Sequence, residues 1–409
     1  MLKREAEKTI KEIADTFRVL LVTGPRQVGK TTILKELMPK NMNYVTLDDK
    51  VLRESAKRDP KMFLEEHPWP LLIDEVQYAP ELFPYIKIKV DESKERSMYW
   101  LIGSQQFKLM KNVTESLAGR VGIVKLNSLT YTEINNDVLS KELFDPDNFK
   151  KSDNIHVNKL FETIFKGGMP ELYDIPKMNK RHFFNSYINT YLARDVKDQL
   201  DIKDTEEFKK FMVSIASRTG EQLNYSNISS ELGITDKTVK KWLDVLVASG
   251  IVYLLEPYMS SKIKRITHMP KIIFMDTGLC SYLAGYDDAK VLQTSSNAGH
   301  YLETYVISEL IKSYDARGIE INLTYFRDKE KNEIDLVMYK NNKLYPFEIK
   351  KTSSPTNSMI NSFNILEKSS NKVEPGGLIC FYDELIHLDD KNYIIPISSI
   401  INIKKAIEK

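Results

Sequence analysis

The stretch Arg18-Val19-Leu20-Leu21-Val22-Thr23-Gly24-Pro25-Arg26-Gln27-Val28-Gly29-Lys30-Thr31-Thr32-Ile33-Leu34 decides the fold of the first third of the chain. Val19 to Val22 is a short apolar run that reads as a buried strand. Gly24 to Thr31 matches GxxxxGK[ST] in full, and Thr32-Ile33-Leu34 opens a helix. That context turns a glycine-rich loop into a phosphate cradle. The glycines let backbone N–H groups face an anion, and the helix N-terminus adds positive potential. The residues expected to line it are Gly24, Pro25, Arg26, Gln27, Val28, Gly29, Lys30, Thr31 and Thr32. Lys30 would reach the β- and γ-phosphates, and the Thr31 hydroxyl would ligate Mg²⁺.

Further along, Leu71-Leu72-Ile73-Asp74-Glu75 reads as a buried strand ending in two carboxylates. Such a strand sets Asp74 beside the Mg²⁺ and Glu75 where it can activate water. Ser104 and Gln105, after the next strand, stand where a polar side chain could sense a γ-phosphate. Arg120 is the first choice for an arginine that meets transition-state charge, from its own chain or a neighbour, and Arg194 is the second. Expected strands at 18–23, 44–48, 69–74, 99–103 and 122–126 alternate with helix-length segments. This argues for an α/β unit with a mostly parallel sheet. Residues 133–153, rich in Asn and Asp, read as an exposed connection, and 159–199 as helical.

The chain has 409 residues, and 59 Lys+Arg against 57 Asp+Glu leave a formal charge of +2. Apolar residues make up 42% and charged ones 28%, the mix of a globular protein, with length for two to three domains. A balance near zero excludes a binder that works through bulk charge, though not a local basic face. Cys280 and Cys380 are too few for a disulfide framework and too far apart for a zinc site, so a reducing, cytoplasmic setting is expected. No run of about 18 apolar residues signals a membrane span.

Two further units follow. Helix 227–232, stopped by Gly233, then a helix capped by Thr235 and running to Ala248, then strand-like runs at 251–255 and 272–275, trace the outline of a winged helix. Thr235, Lys237, Thr238, Lys240 and Lys241 lie on or beside the outer face of its second helix. Lys262, Lys264, Arg265 and Lys271 are expected to line the hairpin. Together they could neutralise several phosphates of a nucleic acid, with DNA the expected one for a winged helix, without reading sequence. Beyond a loose stretch at 293–299, a helix (301–312), three strands (323–327, 334–339, 344–349), a helix (357–368) and a strand (378–382) form a compact α/β domain. Glu348 and Lys350, two apart on one strand, share a face. Asp335 lies on the preceding strand and Glu303 on the helix expected to pack above. Asp335 and Glu348 could hold a divalent metal that activates water, with Lys350 positioning the nucleophile or offsetting phosphodiester charge.

The combination resembles the prokaryotic AAA-type ATP-binding proteins that carry a C-terminal domain of unknown function related to restriction-endonuclease folds. The residues behind the likeness are Gly24–Thr32, Leu72–Gln77, Ser116–Arg120, Tyr191–Asp195, Phe274–Gly278, Glu303, Glu333–Asp335 and Phe347–Lys350. The resemblance implies an α/β protein in three parts. These are an N-terminal P-loop sheet of RecA/AAA type with a helical extension (1–200), a winged helix (201–290) and a PD-(D/E)xK nuclease-like domain (295–409). It implies ATP and Mg²⁺ as cofactors, Lys30, Thr31, Asp74 and Glu75 in the ATPase roles, and Asp335, Glu348 and Lys350 in the nuclease-like roles. Ile334 stands where that motif often has proline. The expected function is a Mg²⁺-dependent ATPase acting on nucleic acid, with a metal-dependent C-terminal nuclease. A homo-oligomer is required if the arginine acts in trans. Two alternatives stand beside it: a nucleotide-controlled regulator or scaffold that binds protein partners, and a motor that does not cut.

Overall fold

The computed structural model describes residues 2–104, 113, 115–138, 142–192, 196, 205–258, 269–366 and 371–403. Gln105, Arg194, Lys262, Lys264 and Arg265 therefore lie outside the described residues. The chain divides into two compact units. One comprises 1–128 with 248–250 and 315–319; the other comprises 129–247, 251–314 and 320–409.

In the first unit, helix α1 (Ala6–Thr16) precedes strand β1 (Val19–Thr23) and helix α2 (Lys30–Leu37). Strands β2 (Asn43–Thr46), β3 (Leu71–Asp74), β4 (Tyr99–Gly103) and β5 (Val121–Lys125) follow. All five pair in parallel, in the order β2-β3-β4-β1-β5. Every residue of β1, β3 and β4 is buried, as unbroken apolar runs in a parallel sheet covered on both faces require. From β1 the chain crosses to β2 at the far edge, returns through β3 and β4, and passes over β1 to reach β5. The carboxyl end of β1 is thus a topological switch point, where open α/β sheets place their ligands. The core on this sheet includes Leu21, Phe63, Ile73, Phe83, Tyr99 and Leu101.

The second unit carries helices α3 (Val157–Lys166), α4 (Lys180–Tyr191), α5 (Thr205–Ala216), α6 (Tyr225–Leu232) and α7 (Asp236–Ala248). Gly233, at φ 69°, ends α6 in the left-handed conformation, and the Thr235 hydroxyl accepts the Thr238 N–H at 3.1 Å to start α7. Val239, Leu243 and Leu246 bury one face of α7. Strands β6 (Val252–Leu255) and β7 (Lys271–Phe274) form an antiparallel pair, followed by α8 (Thr277–Leu283) and the long helix α9 (Ala298–Asp315). Asp276 caps α8 through the Leu279 N–H and also accepts the Gly168 N–H, so the Phe274–Gly278 segment is pinned to the end of α3.

The C-terminal sheet of this unit is mixed. It comprises β8 (Leu323–Arg327), β9 (Glu333–Lys340), β10 (Lys343–Ile349), β11 (Lys372–Val373), β12 (Gly377–Cys380), β13 (Ile386–His387) and β14 (Tyr393–Pro396). The order is β13-β14-β12-β10-β9-β8, with β11 on β10. Asn341 and Asn342, both at positive φ, close the two-residue turn between β9 and β10, the backbone that such hairpins demand.

Two expectations fail here. The segment 133–153 is no exposed connection: Phe144 is buried, and the Phe144 and Phe149 rings pack edge-on against Phe347. Two aromatic anchors outweigh the polar composition around them. The helix expected at 357–368 is instead a 3₁₀ turn (Asn357–Ile360) and one helical turn (Phe363–Leu366).

At Gly24, φ is +145° and an added Cβ would lie 1.9 Å from the Leu126 carbonyl oxygen. Gly24→Ala is therefore expected to lower the stability of the first unit by about 1–3 kcal/mol and to spread the loop. Urea unfolding followed by tryptophan fluorescence checks this, Trp100 lying within β4.

Candidate functional site

The N-terminal site is built on three strand ends. Beyond β1, the loop takes positive φ at Gly24, Gln27 and Gly29, and Gly29 leads directly into α2. The Lys30 ammonium, in a residue 7% exposed, donates to the carbonyls of Gly24 (2.9 Å) and Pro25 (2.6 Å). Arg4 supports the loop from behind, donating to the carbonyls of Val28 and Asn127, each at 2.7 Å. The Thr31 hydroxyl donates to Asp74 Oδ2 at 2.8 Å, and the Tyr44 hydroxyl reaches the same oxygen at 3.2 Å. Burial and the Asp74 charge push the Tyr44 phenol up to about 12, so it stays a donor.

Glu75, just past β3, holds φ 55° and ψ 43°, a strained conformation for a residue with a side chain. Its Oε2 accepts from the Ser104 hydroxyl at 3.1 Å and from the Gln77 amide, which also reaches Ser104 Oγ at 3.4 Å. The structure thus brings Lys30, Thr31, Asp74, Glu75 and Ser104 together at the carboxyl ends of β1, β3 and β4. Gln77 and Tyr44 complete the arrangement, and sequence reasoning singles out neither as a site residue. The spacing of Gln77, two residues past Glu75 in a 3₁₀ turn, was the available signal.

Arg120 lies at the other end of the strands. Its carbonyl accepts the Val19 N–H, and its guanidinium grips Asp91 through two bonds of 2.6 and 2.8 Å. The length of β1, about 13 Å at strand rise, separates it from the glycine loop. Within its own chain Arg120 is an ion-pair partner.

The second constellation lies in the other unit. The Asp335 backbone N–H donates to Glu348 Oε2 at 3.3 Å, and Asp335 Oδ2 accepts the Ile349 N–H at 2.9 Å. Lys350, its side chain 40% exposed, bridges the two acids, 3.0 Å from Asp335 Oδ2 and 2.8 Å from Glu348 Oε1. Burial and the Asp335 charge push the Glu348 carboxyl up to about 7. Burial alone would lower the Lys350 ammonium, but Asp335 and Glu348 outweigh it and hold it above the ordinary lysine range.

Lys271 corrects an expectation. It does not line a solvent-facing basic hairpin. It is 2% exposed and pairs with Glu303 at 2.6 Å and Glu333 at 2.5 Å. The reason is its strand position on β7, which turns the side chain into the unit's interior where two acids receive it. Glu303 is thus partnered by Lys271, and burial pushes its carboxyl up to about 8. Opposite charges keep Lys271 firmly protonated despite its burial. Among the described residues no three His, Cys, Asp or Glu side chains converge as a group that could hold a metal ion. Of the expected basic face, Lys237, Lys240 and Lys241 are exposed on α7.

Family models match three stretches of the chain. An AAA domain model matches residues 16–135, and two models described as domains of unknown function, DUF8612 and DUF4143, match 157–290 and 298–400. An uncharacterized protein of Mycobacterium tuberculosis is 28% identical over 357 residues, spanning 87% of this chain and 75% of its own. One from Haemophilus influenzae is 21% identical, spanning 85% and 87%. A solved Walker-type ATPase of Pyrococcus abyssi is 13% identical and covers 69% of this chain and 96% of its own, with a TM-score of 0.45. The Holliday-junction branch-migration motor of Thermotoga maritima is 17% identical and covers 62% and 89%, with a TM-score of 0.31. The AAA match supports ATP binding by the N-terminal module. No helix among the described residues is long and apolar enough to cross a membrane.

Two outcomes follow from the buried charges. Lys271→Met strands Glu303 and Glu333 without their cation and is expected to cost about 3–5 kcal/mol, whereas adding Glu303→Gln recovers part of the loss. Urea midpoints of the single and double variants check this. Glu348, with its folded pKa raised, stabilises the fold fully below its unfolded value of 4.5, and that contribution is lost as pH rises through about 7. The stability difference between wild type and Glu348→Gln should therefore shift against wild type from pH 5 to pH 8.

Proposed function

We propose that the chain is a Mg²⁺-dependent ATPase that couples nucleotide hydrolysis to a nucleic acid held by its C-terminal half. The observation that carries the reading is the convergence of Thr31, Asp74 and Glu75 at the end of β3 beside the glycine loop. The donors suit a hard cation: the Thr31 hydroxyl and the Asp74 carboxylate are oxygens 2.8 Å apart. When bound there, Mg²⁺ supplies positive charge against the phosphate chain. The loop's N–H groups and the α2 N-terminus receive the phosphates, and Lys30 turns from two loop carbonyls to the phosphate charge. Glu75 orients and deprotonates the attacking water. Ser104 and Gln77 fix the carboxylate that does so, and their link to Glu75 gives a route by which the γ-phosphate state reaches β4 and beyond. Arg120, placed at the opposite strand ends, serves as finger only for a neighbouring copy, which makes the active form a homo-oligomer.

Lys237, Lys240 and Lys241, exposed on the second helix of a helix–turn–helix followed by an antiparallel strand pair, support reading residues 201–290 as a winged helix on DNA phosphates. The adjacent Asp335, Glu348 and Lys350 support a PD-(D/E)xK-like domain over 295–409. There Asp335 and Glu348 would hold a metal and Lys350 would face the phosphodiester. A second reading is favoured by one observation: the Lys350 ammonium already bridges both acids. On that reading the domain grips a partner, a protein in the regulatory version, without cutting.

Phosphate release by purified protein, with and without duplex DNA, tests the proposal. Glu75→Gln is expected to lower kcat by about 10²–10⁴-fold while ATP binding persists. Stimulation by DNA that vanishes in this variant is the expected result. Hydrolysis indifferent to DNA favours the regulatory reading, and hydrolysis unaffected by Glu75→Gln overturns the assignment of the base. Metal-dependent nicking lost in Lys350→Ala would favour the cutting version, and no nicking the gripping one.

A further inference from the structure

Helices α3, α4 and α5 and the end of α8 with its following turn line an open pocket of about 590 Å³, within the range of small-molecule sites. It lies in the second unit, and none of its lining residues belongs to either constellation described above. Phe165, Ile188, Val213 and Leu283 supply apolar surface, and Tyr282 and Tyr286 supply two aromatic rings. Lys180 and Arg181, from the first turn of α4, and Lys209 of α5 bring three cations to the lining, against one acid, Asp287. Basic residues therefore outnumber acids in the lining.

Lys180 is the unusual member. Its ammonium lies 3.3 Å from the centre of the Phe165 ring and donates to Ser281 Oγ at 2.7 Å. An ammonium carries three N–H donors, and Ser281 is its one hydrogen-bond acceptor among the described residues. Burial draws its pKa down to about 7, although the Asp276 charge opposes the shift. A half-buried amine with spare donors, in a lining that also carries Arg181, Lys209 and two aromatic rings, can accept a further polar partner. Nothing in ATP hydrolysis or in the acid–lysine cluster uses it.

We propose that this cavity binds a small planar ligand, a ring carrying one phosphate monoester. Its two negative charges answer the guanidinium and ammonium groups of Arg181 and Lys209, which hold the phosphate by charge-assisted hydrogen bonds. The ring lies among Tyr282, Tyr286 and the apolar wall, and Lys180 faces the ring's polar edge. Occupation would tie α4 to α5 and to the turn after α8, three elements of the segment matched as a domain of unknown function.

Pyridoxal 5′-phosphate is the probe, a phosphorylated ring whose aldehyde reports on Lys180. The neutral amine adds to the aldehyde carbon and water leaves. Borohydride then delivers hydride to the imine carbon, fixing a secondary amine that peptide mapping locates. Reading the labelled peptide separates this site from the glycine loop near Lys30. At limiting probe and neutral pH, Lys180 is expected to label about tenfold or more faster than the exposed Lys177 and Lys290. Pyridoxal, lacking the phosphate, should label Lys180 about tenfold less, as should pyridoxal 5′-phosphate with the Arg181→Ala/Lys209→Ala variant. Labelling of Lys180 no faster than Lys177 overturns the proposal. So does equal labelling by pyridoxal, or an unchanged rate in a double variant whose circular dichroism matches wild type.

Discussion

The hydrogen bond from Thr31 Oγ1 to Asp74 Oδ2 ties the first turn of α2 to the last residue of β3. Those two elements come from opposite sides of β4 in the sheet, because the chain leaves β1 for the far edge before returning. The bond therefore needs the whole parallel order to be in place. The glycine loop must turn tightly against the Leu126 carbonyl, and β3 must run its full buried length. Once it forms, two oxygens suited to a hard cation stand beside a phosphate-binding loop, and Glu75 follows within one residue. Backbone strain at Glu75 is held by Ser104 and Gln77 from the neighbouring segments. The site is thus a product of sheet order first and of side chains second.

Charge pairing organises the second unit in another way. Lys271 lies buried on a strand next to the helix pair, yet its partners Glu303 and Glu333 belong to the C-terminal α/β region. A buried cation with two acid partners is costly to break, so the two regions are joined by more than apolar contact. Asp335 feels the same cation, since its charge helps keep Lys271 protonated. The middle segment and the acid–lysine cluster therefore share one electrostatic network. A change in the helix pair can reach Asp335 through a single side chain.

Much of the first unit was legible in the sequence. Five apolar runs became five strands because parallel strands buried on both faces carry unbroken apolar stretches, the most readable of patterns. The glycine loop and the acids after β3 were legible because their chemistry fixes residue type and spacing together. The Glu348–Lys350 pair followed from strand alternation alone. Lys271 was misread because a lysine in a sequence shows its charge and not its partners, and both of its acids lie more than thirty residues away. The 133–153 segment was misread because Phe144 and Phe149 are sparse among polar residues, and only the sheet they cover reveals their purpose. The helix expected at 357–368 gave way to two short turns, its apolar residues Ile360, Phe363 and Leu366 being used for packing rather than for a continuous helix.

The most direct test of the account is equilibrium ATP binding by calorimetry, with and without Mg²⁺, on wild type and Asp74→Asn. Tight binding that depends on Mg²⁺ in wild type, and a Mg²⁺ dependence lost in Asp74→Asn, is the predicted result. Equal affinity in all four conditions would contradict the central claim, because the Thr31–Asp74 pair would then be a structural hydrogen bond and no part of a nucleotide site.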